Sequence, residues 1–124
     1  MSFAASLGEI VTGCGGSIGA MLMGSDGIPI EQFVGTAVPD GPLSDDLATA
    51  GIEFGRILHD IRKASDALAG GAVQETVVVL SRFILLFRMV DEDVFVVMVL
   101  GADGNIGKAR YLIRRQLPAI RRDL

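Results

Sequence analysis

Residues 101 to 115, GADGNIGKARYLIRR, come nearer to nucleotide chemistry than any other stretch of this chain. A phosphate loop of the G-x-x-x-x-G-K-[ST] kind needs glycines that free backbone amides, a lysine for the outer phosphates and a hydroxyl for magnesium. Gly107 and Lys108 fit, but Ala102 stands at the first glycine position and Ala109 at the hydroxyl position. The loop also opens the last predicted helix, so no later strand can bring a magnesium-binding carboxylate. The stretch therefore reads as a turn at Asp103-Gly104, a helix cap at Asn105 and a glycine at 107 that lets the helix pack closely on a sheet.

Other reactive residues stand alone. Cys14 is the single cysteine, which excludes an intramolecular disulfide and any multi-cysteine metal site, and points to a reducing cytoplasm. With Gly15 and Gly16 following, it reads as a small buried residue. The single histidine, His59, falls in a different predicted element, and its neighbours one helical turn away, Gly55, Arg56, Arg62 and Lys63, offer it no carboxylate. Asp91, Glu92 and Asp93 form a turn rather than the longer alternating pattern of a calcium loop. Arg56 and Arg62 read as surface arginines, not as residues reaching into a partner's nucleotide site. No catalytic residue, cofactor site or metal site is expected, and the chain is not read as an enzyme.

The chain as a whole has 124 residues, half of them apolar, enough for one core. A single domain over 1–124 is expected. A net charge of −4 argues against nucleic acid, whose backbone calls for a basic surface. Arg82, Arg88 and Asp91 interrupt the apolar runs before they reach the roughly 18 residues of a membrane span. With no basic leader at MSFAASLGEI, a soluble, cytoplasmic chain without membrane insertion is expected.

The elements follow from spacing. Phe3, Leu7, Ile10 and Val11 make one face of a helix over 3–12, capped by Ser2 and ended by Gly13. SIGAMLMG and IPIEQFVG flank Ser25-Asp26-Gly27 and predict a hairpin. TAVPDGPL, residues 36 to 43, is a loop, after which Ser44, Asp45 and Asp46 open a long helix that runs to Ala69 and stops at Gly70-Gly71. Its core stripe is Leu47, Gly51, Phe54, Leu58, Ile61, Ser65 and Leu68. Ile52 and Ile57, with Ala48 and Ala64, lie off the stripe and suggest a second apolar patch that the domain's own sheet does not cover. Residues 72–82, 83–90 and 94–101 predict three strands, nearly apolar on both faces, hence a sheet covered on both sides. The long helix is one cover. The first helix and a closing helix from Asn105, with Ile106, Ala109, Ile113, Leu117 and Ile120 inward, are the other, and Pro118 is expected to bend or end its last turn. The fold class is α/β (α+β).

This order, with the phrases GAMLMGSDGIPIEQF, EFGRILHDIRKASDAL and VFVVMVLGADGNIGKARYLIRR, resembles the Roadblock family, which includes dynein light chains and bacterial regulators of Ras-like GTPases. The most telling parts are the turn Met23 to Gly27 and the helix start Gly104 to Lys108. The resemblance implies a five-stranded antiparallel, profilin-like sheet in the order α-β-β-α-β-β-β-α. It further implies a homodimer, formed by pairing of long helices and of third strands, which places Ile52, Ile57, Ala64, Val77 and Val79 between subunits. It implies a non-enzymatic regulator or scaffold for a Ras-like small GTPase, or alternatively a light-chain-like adaptor in a motor or signalling complex. Glu53, Arg56, His59, Asp60, Lys63 and Asp66, on the exposed side of the long helix, are the expected partner contacts.

Overall fold

Ser2 opens the first helix, α1 (Phe3–Thr12), because its hydroxyl accepts the Ala5 amide at 3.1 Å and satisfies one of the unpaired first-turn donors. The computed structural model describes residues 2–35 and 43–124, and for 43–48 and 50 the backbone alone. Strand β1 (Ser17–Gly24) turns back into β2 (Pro29–Val34) through Ser25-Asp26-Gly27. There Gly27 takes a φ of +89° and the Asp26 carboxylate accepts the Ile28 amide at 3.1 Å, as that short turn requires.

The long helix α2 (Leu43–Leu68) begins one residue before the Ser44 expected to cap it. The loop expected over 36–42, the capping by Ser44, Asp45 and Asp46, and the inward place of Leu47 and the outward place of Ala48 lie outside the described residues and side chains. At its other end the left-handed position falls on Ala69, with φ 51°, rather than on Gly70. The Gly70 amide reaches the Ser65 carbonyl and the Ala69 amide the Asp66 carbonyl, a paired closure of the helix end.

Strands β3 (Glu75–Val79), β4 (Phe83–Met89) and β5 (Val94–Gly101) complete a sheet in the order β2-β1-β5-β4-β3, antiparallel throughout. The closing helix α3 (Ile106–Asp123) continues past Pro118, so the proline, expected to bend or end the last turn, does not end it. Proline removes only the bond to the Arg114 carbonyl, and both residues are exposed, so water can satisfy that oxygen.

Two cores lie on the two faces of the sheet. Leu7, Ile10 and Val11 of α1 and Ala109, Ile113, Leu117 and Ile120 of α3 cover Ala20, Leu22, Ile84, Leu86, Val96, Met98 and Leu100. On the other face Leu58, Phe54 and Ile61 of α2 meet Met21, Met23, Leu85, Phe87, Phe95, Val97 and Val99. Alternation assigns these faces, and Ile18 joins the α2 side out of step because the β1–β5 register shifts between Ser17 and Gly19. Gly51 lets α2 come close to β1, since a Cβ there would lie 2.6 Å from the Met21 methyl and 2.7 Å from that of Met23.

The expected core stripe of α2 does not hold to its end: Leu68 is 81% exposed. A stripe of strict four-and-three steps drifts by about 20° every seven residues on a straight helix, so a run of three repeats rotates off the sheet.

Candidate functional site

The loop that resembles a phosphate cradle is a structural joint. Asn105 Oδ1 accepts the Lys108 amide at 2.9 Å and the Gly104 amide reaches the Gly101 carbonyl at 2.9 Å. Lys108 is exposed, with its Nζ 5.5 Å from the centre of the Tyr111 ring rather than over the loop. Gly107 is exposed, and a Cβ there would come near Asn105 Oδ1 alone, at 3.4 Å, so the close packing expected of it is absent. Gly104 has that role instead: a Cβ there would lie 2.6 Å from Leu100 Cβ and 3.0 Å from the Gly101 carbonyl oxygen. Leu100 is fully buried and its Cβ cannot rotate away. Gly104→Ala is therefore expected to destabilise by about 1 to 3 kcal/mol. Gly107→Ala should be neutral or stabilising by up to about 1 kcal/mol through helix propensity. Urea midpoints of the two variants check both.

Cys14 is buried, as expected, with its Sγ 3.8 Å from the carbonyl oxygens of Gly15 and Asn105. Burial pushes its thiol above the ordinary value of 9.0, and the charge of nearby Lys108 only partly offsets this. The protonated thiol is thus favoured, and the sign follows: its contribution to stability is complete below that ordinary value and is lost as pH rises through the raised one. Disulfide exchange with a chromogenic reagent at pH 8 should run on the order of 100-fold slower in the native chain than in denaturant.

The helix α2 shows a different kind of surface. Glu53, Arg56, His59, Asp60, Lys63 and Asp66 are all exposed along the side turned from the sheet. Arg56 and Glu53 approach at 3.9 Å, but both side chains are mostly in water, so the pair contributes little. The sequence assigned His59 no carboxylate neighbour, and along the helix that holds. Tertiary structure supplies acidic company from elsewhere: Asp26, Glu92 and Asp93 line one groove with His59 and Arg62, because the Ser25 amide is bonded to the Asp93 carbonyl at 2.7 Å and joins the two turns.

The apolar residues expected as one patch divide between two flanks of α2. At about 100° per residue Ala64 and Leu68 both fall within about 20° of Ile57, whereas Ile52 lies about 140° away. Ile57 is 50% exposed and forms the near-continuous flank with Ala64 and Leu68. Ile52 leans instead toward the hairpin turn, where a Cβ on Gly27 would lie 3.7 Å from it. On the edge strand β3, Val77 is half-buried against the α1–α3 core, while Val79 and its neighbour Leu80 are exposed. Leu68 and Leu80, outside the residues expected between subunits, are exposed as well: Leu68 through the drift of the stripe, and Leu80 because the third strand ends at Val79, earlier than its apolar run.

Among the described residues no group of three or more His, Cys, Asp or Glu side chains could hold a metal ion. No described helix is long and apolar enough to cross a membrane. Among the described residues, a five-stranded sheet covered on both faces, a long helix with exposed apolar residues on one flank, and β3 at the sheet edge define a domain of the α+β kind.

The chain belongs to the Roadblock family. It is 33% identical to MglC from Myxococcus xanthus over the whole of both chains, with a TM-score of 0.70. The Roadblock/LC7 domain from Streptomyces avermitilis matches 98% of this chain and 96% of its own at 15% identity and a TM-score of 0.82. The gliding protein MglB from Thermus thermophilus matches 96% of this chain and 85% of its own at 20% identity and a TM-score of 0.84. No protein-family model and no curated protein matches the chain. The five-stranded antiparallel sheet and three helices expected from the resemblance are those of the fold described above.

Proposed function

We propose that the chain is a non-enzymatic, homodimeric regulator or scaffold that binds a Ras-like small GTPase in the bacterial cytoplasm. The observation that carries this reading is that Ile57, Ala64 and Leu68 are exposed on one flank of α2 and Val79 and Leu80 at the end of the edge strand β3. Single surface leucines need no explanation, but an apolar helix flank and an edge strand in one small domain suit a partner of the same shape. Pairing α2 with a second α2 along that flank leaves Arg56, His59, Lys63 and Asp66 outward on a joint platform, where the GTPase docks, while Glu53 and Asp60, within about 40° and 60° of Ile57, border the seam. The likeness to MglC and to a protein named for gliding supports a regulator of that bacterial type.

The test is a binding measurement with the purified chain and a Ras-like GTPase from the same cell, loaded with GDP or with a non-hydrolysable GTP analogue. The expected result is on the order of tenfold tighter binding in one nucleotide state, abolished by combined Arg56→Glu and Lys63→Glu. Capture of motor or filament components alone, indifferent to nucleotide, would establish adaptor duty and remove the regulatory reading.

A further inference from the structure

Six of the eleven Lys and Arg lie on α3, and the chain neutralises few of them. With α1, which packs beside it on one face of the sheet, α3 carries those six against Glu9 and Asp123, a formal +4; the remaining five Lys and Arg stand against thirteen Asp and Glu, a formal −8. Arg110 is paired with Glu75 beside Arg88 and Arg114, and Arg121 Nε donates to the Val90 carbonyl at 2.9 Å. Lys108, Arg115 and Arg122 are exposed, and their charged groups enter no ion pair or hydrogen bond among the described residues.

Rotation about the helix places these three together. At about 100° and 1.5 Å per residue, Lys108, Tyr111, Arg115 and Arg122 all fall within about 40° of the direction opposite the buried Ile113 and span roughly 21 Å. That ridge has no acidic residue. Tyr111 on it is 52% exposed, an aromatic ring with a polar tip of the kind that suits a lipid headgroup boundary. Salt screens charges farther apart than about 8 Å, so a surface meeting the ridge responds to these cations rather than to the acidic turns beside His59, which lie beyond the sheet.

We infer that the α3 ridge docks on an anionic lipid surface, with its cations among the headgroups and no segment inserted. The apolar residues of α3, Ala109, Ile113, Leu117 and Ile120, are held in the core, so the contact is electrostatic. Clusters of about four to eight Lys and Arg on an amphipathic helix are drawn to anionic lipid in this way. Nucleic acid suits the ridge less well, because single strands follow a groove with several stacking rings and duplex bases are read largely by amide and guanidinium side chains inside a groove. Docked so, the chain keeps α2, on the other face of the sheet, turned away from the lipid.

The experiment is co-sedimentation of the full chain with vesicles of phosphatidylcholine containing about 30% phosphatidylglycerol, in about 0.1 M salt. Binding is expected there, on the order of tenfold weaker for the double variant Arg115→Gln, Arg122→Gln and at about 0.5 M salt, and absent with phosphatidylcholine alone. Lys63→Glu, on the exposed side of α2, lowers the net charge as much as the double variant and should bind as the parent does. All three positions are exposed, so the variants keep the fold, which circular dichroism checks. No binding to the anionic vesicles, equal binding to neutral ones, an equal loss in Lys63→Glu, or tighter binding to a short DNA duplex at matched phosphate concentration overturns the proposal.

Discussion

Ile57→Asp is expected to sediment at the mass of one chain under conditions where the parent chain sediments at twice that mass. Ile57 lies midway along α2 on the flank it shares with Ala64 and Leu68, so in the proposed helix pairing its side chain enters the seam. An unpaired carboxylate placed in such a seam costs about 3 to 5 kcal/mol, which corresponds to roughly 10² to 10⁴ in the dimer dissociation constant. Leu68→Asp should act the same way, because the two positions share one flank. Ile52→Asp should leave the dimer intact, since Ile52 leans toward the Gly27 turn on the other flank. The contrast between two isoleucines on one helix makes the measurement specific. Far-UV circular dichroism of the monomeric variant should retain the parent spectrum, because the core side of α2 is untouched. An unchanged mass for both Ile57→Asp and Leu68→Asp would refute the helix-paired dimer.

The second large effect falls on the core beneath α2. Phe87 is 2% exposed, and its ring stands 5.3 Å from that of Phe54 on α2 and 6.0 Å from that of Phe95 on β5. The tilted Phe54 and Phe87 rings are the aromatic contact between helix and sheet, on a helix that Gly51 lets come close. Phe87→Ala should destabilise by roughly 3 to 5 kcal/mol, through lost transfer energy and the cavity left behind. A domain of this size then melts on the order of 10 to 20 °C lower, measurable by calorimetry. Phe87→Leu keeps most of the volume and should lose about a third as much. A drop in Tm of only a degree or two for the alanine variant would mean that α2 is held by other contacts. The two predictions are linked, because a helix loosened from its sheet presents its outer flank less sharply. Phe87→Ala should therefore weaken self-association as well.

The order and bounds of most elements were legible because local chemistry suffices for them. Ser2 and Asn105 are capping side chains that satisfy nearby amides, and the Asp26-Gly27 turn closes with its own atoms, so no distant part of the chain is needed. The doubly apolar strands likewise announced a sheet covered on both faces, because an apolar face left in water would be destabilising.

What only the tertiary structure decided concerns distance between elements and rotation along them. Gly104, not Gly107, makes the close approach, because Leu100 and Gly101 sit where a Cβ would go and no spacing rule reports that. Helical drift is small per turn and accumulates over a helix of 26 residues, so Leu68 left the core stripe. Charges far apart in sequence, Asp26 and Asp93 near His59, or Arg88, Arg110 and Arg114 around one cleft, came together because strand order β2-β1-β5-β4-β3 folds distant segments side by side. Propensity, capping and turn chemistry act over about four residues and can be read from a string. A groove or a helix flank is made by side chains that meet only after the chain has packed, so its composition is a property of the fold.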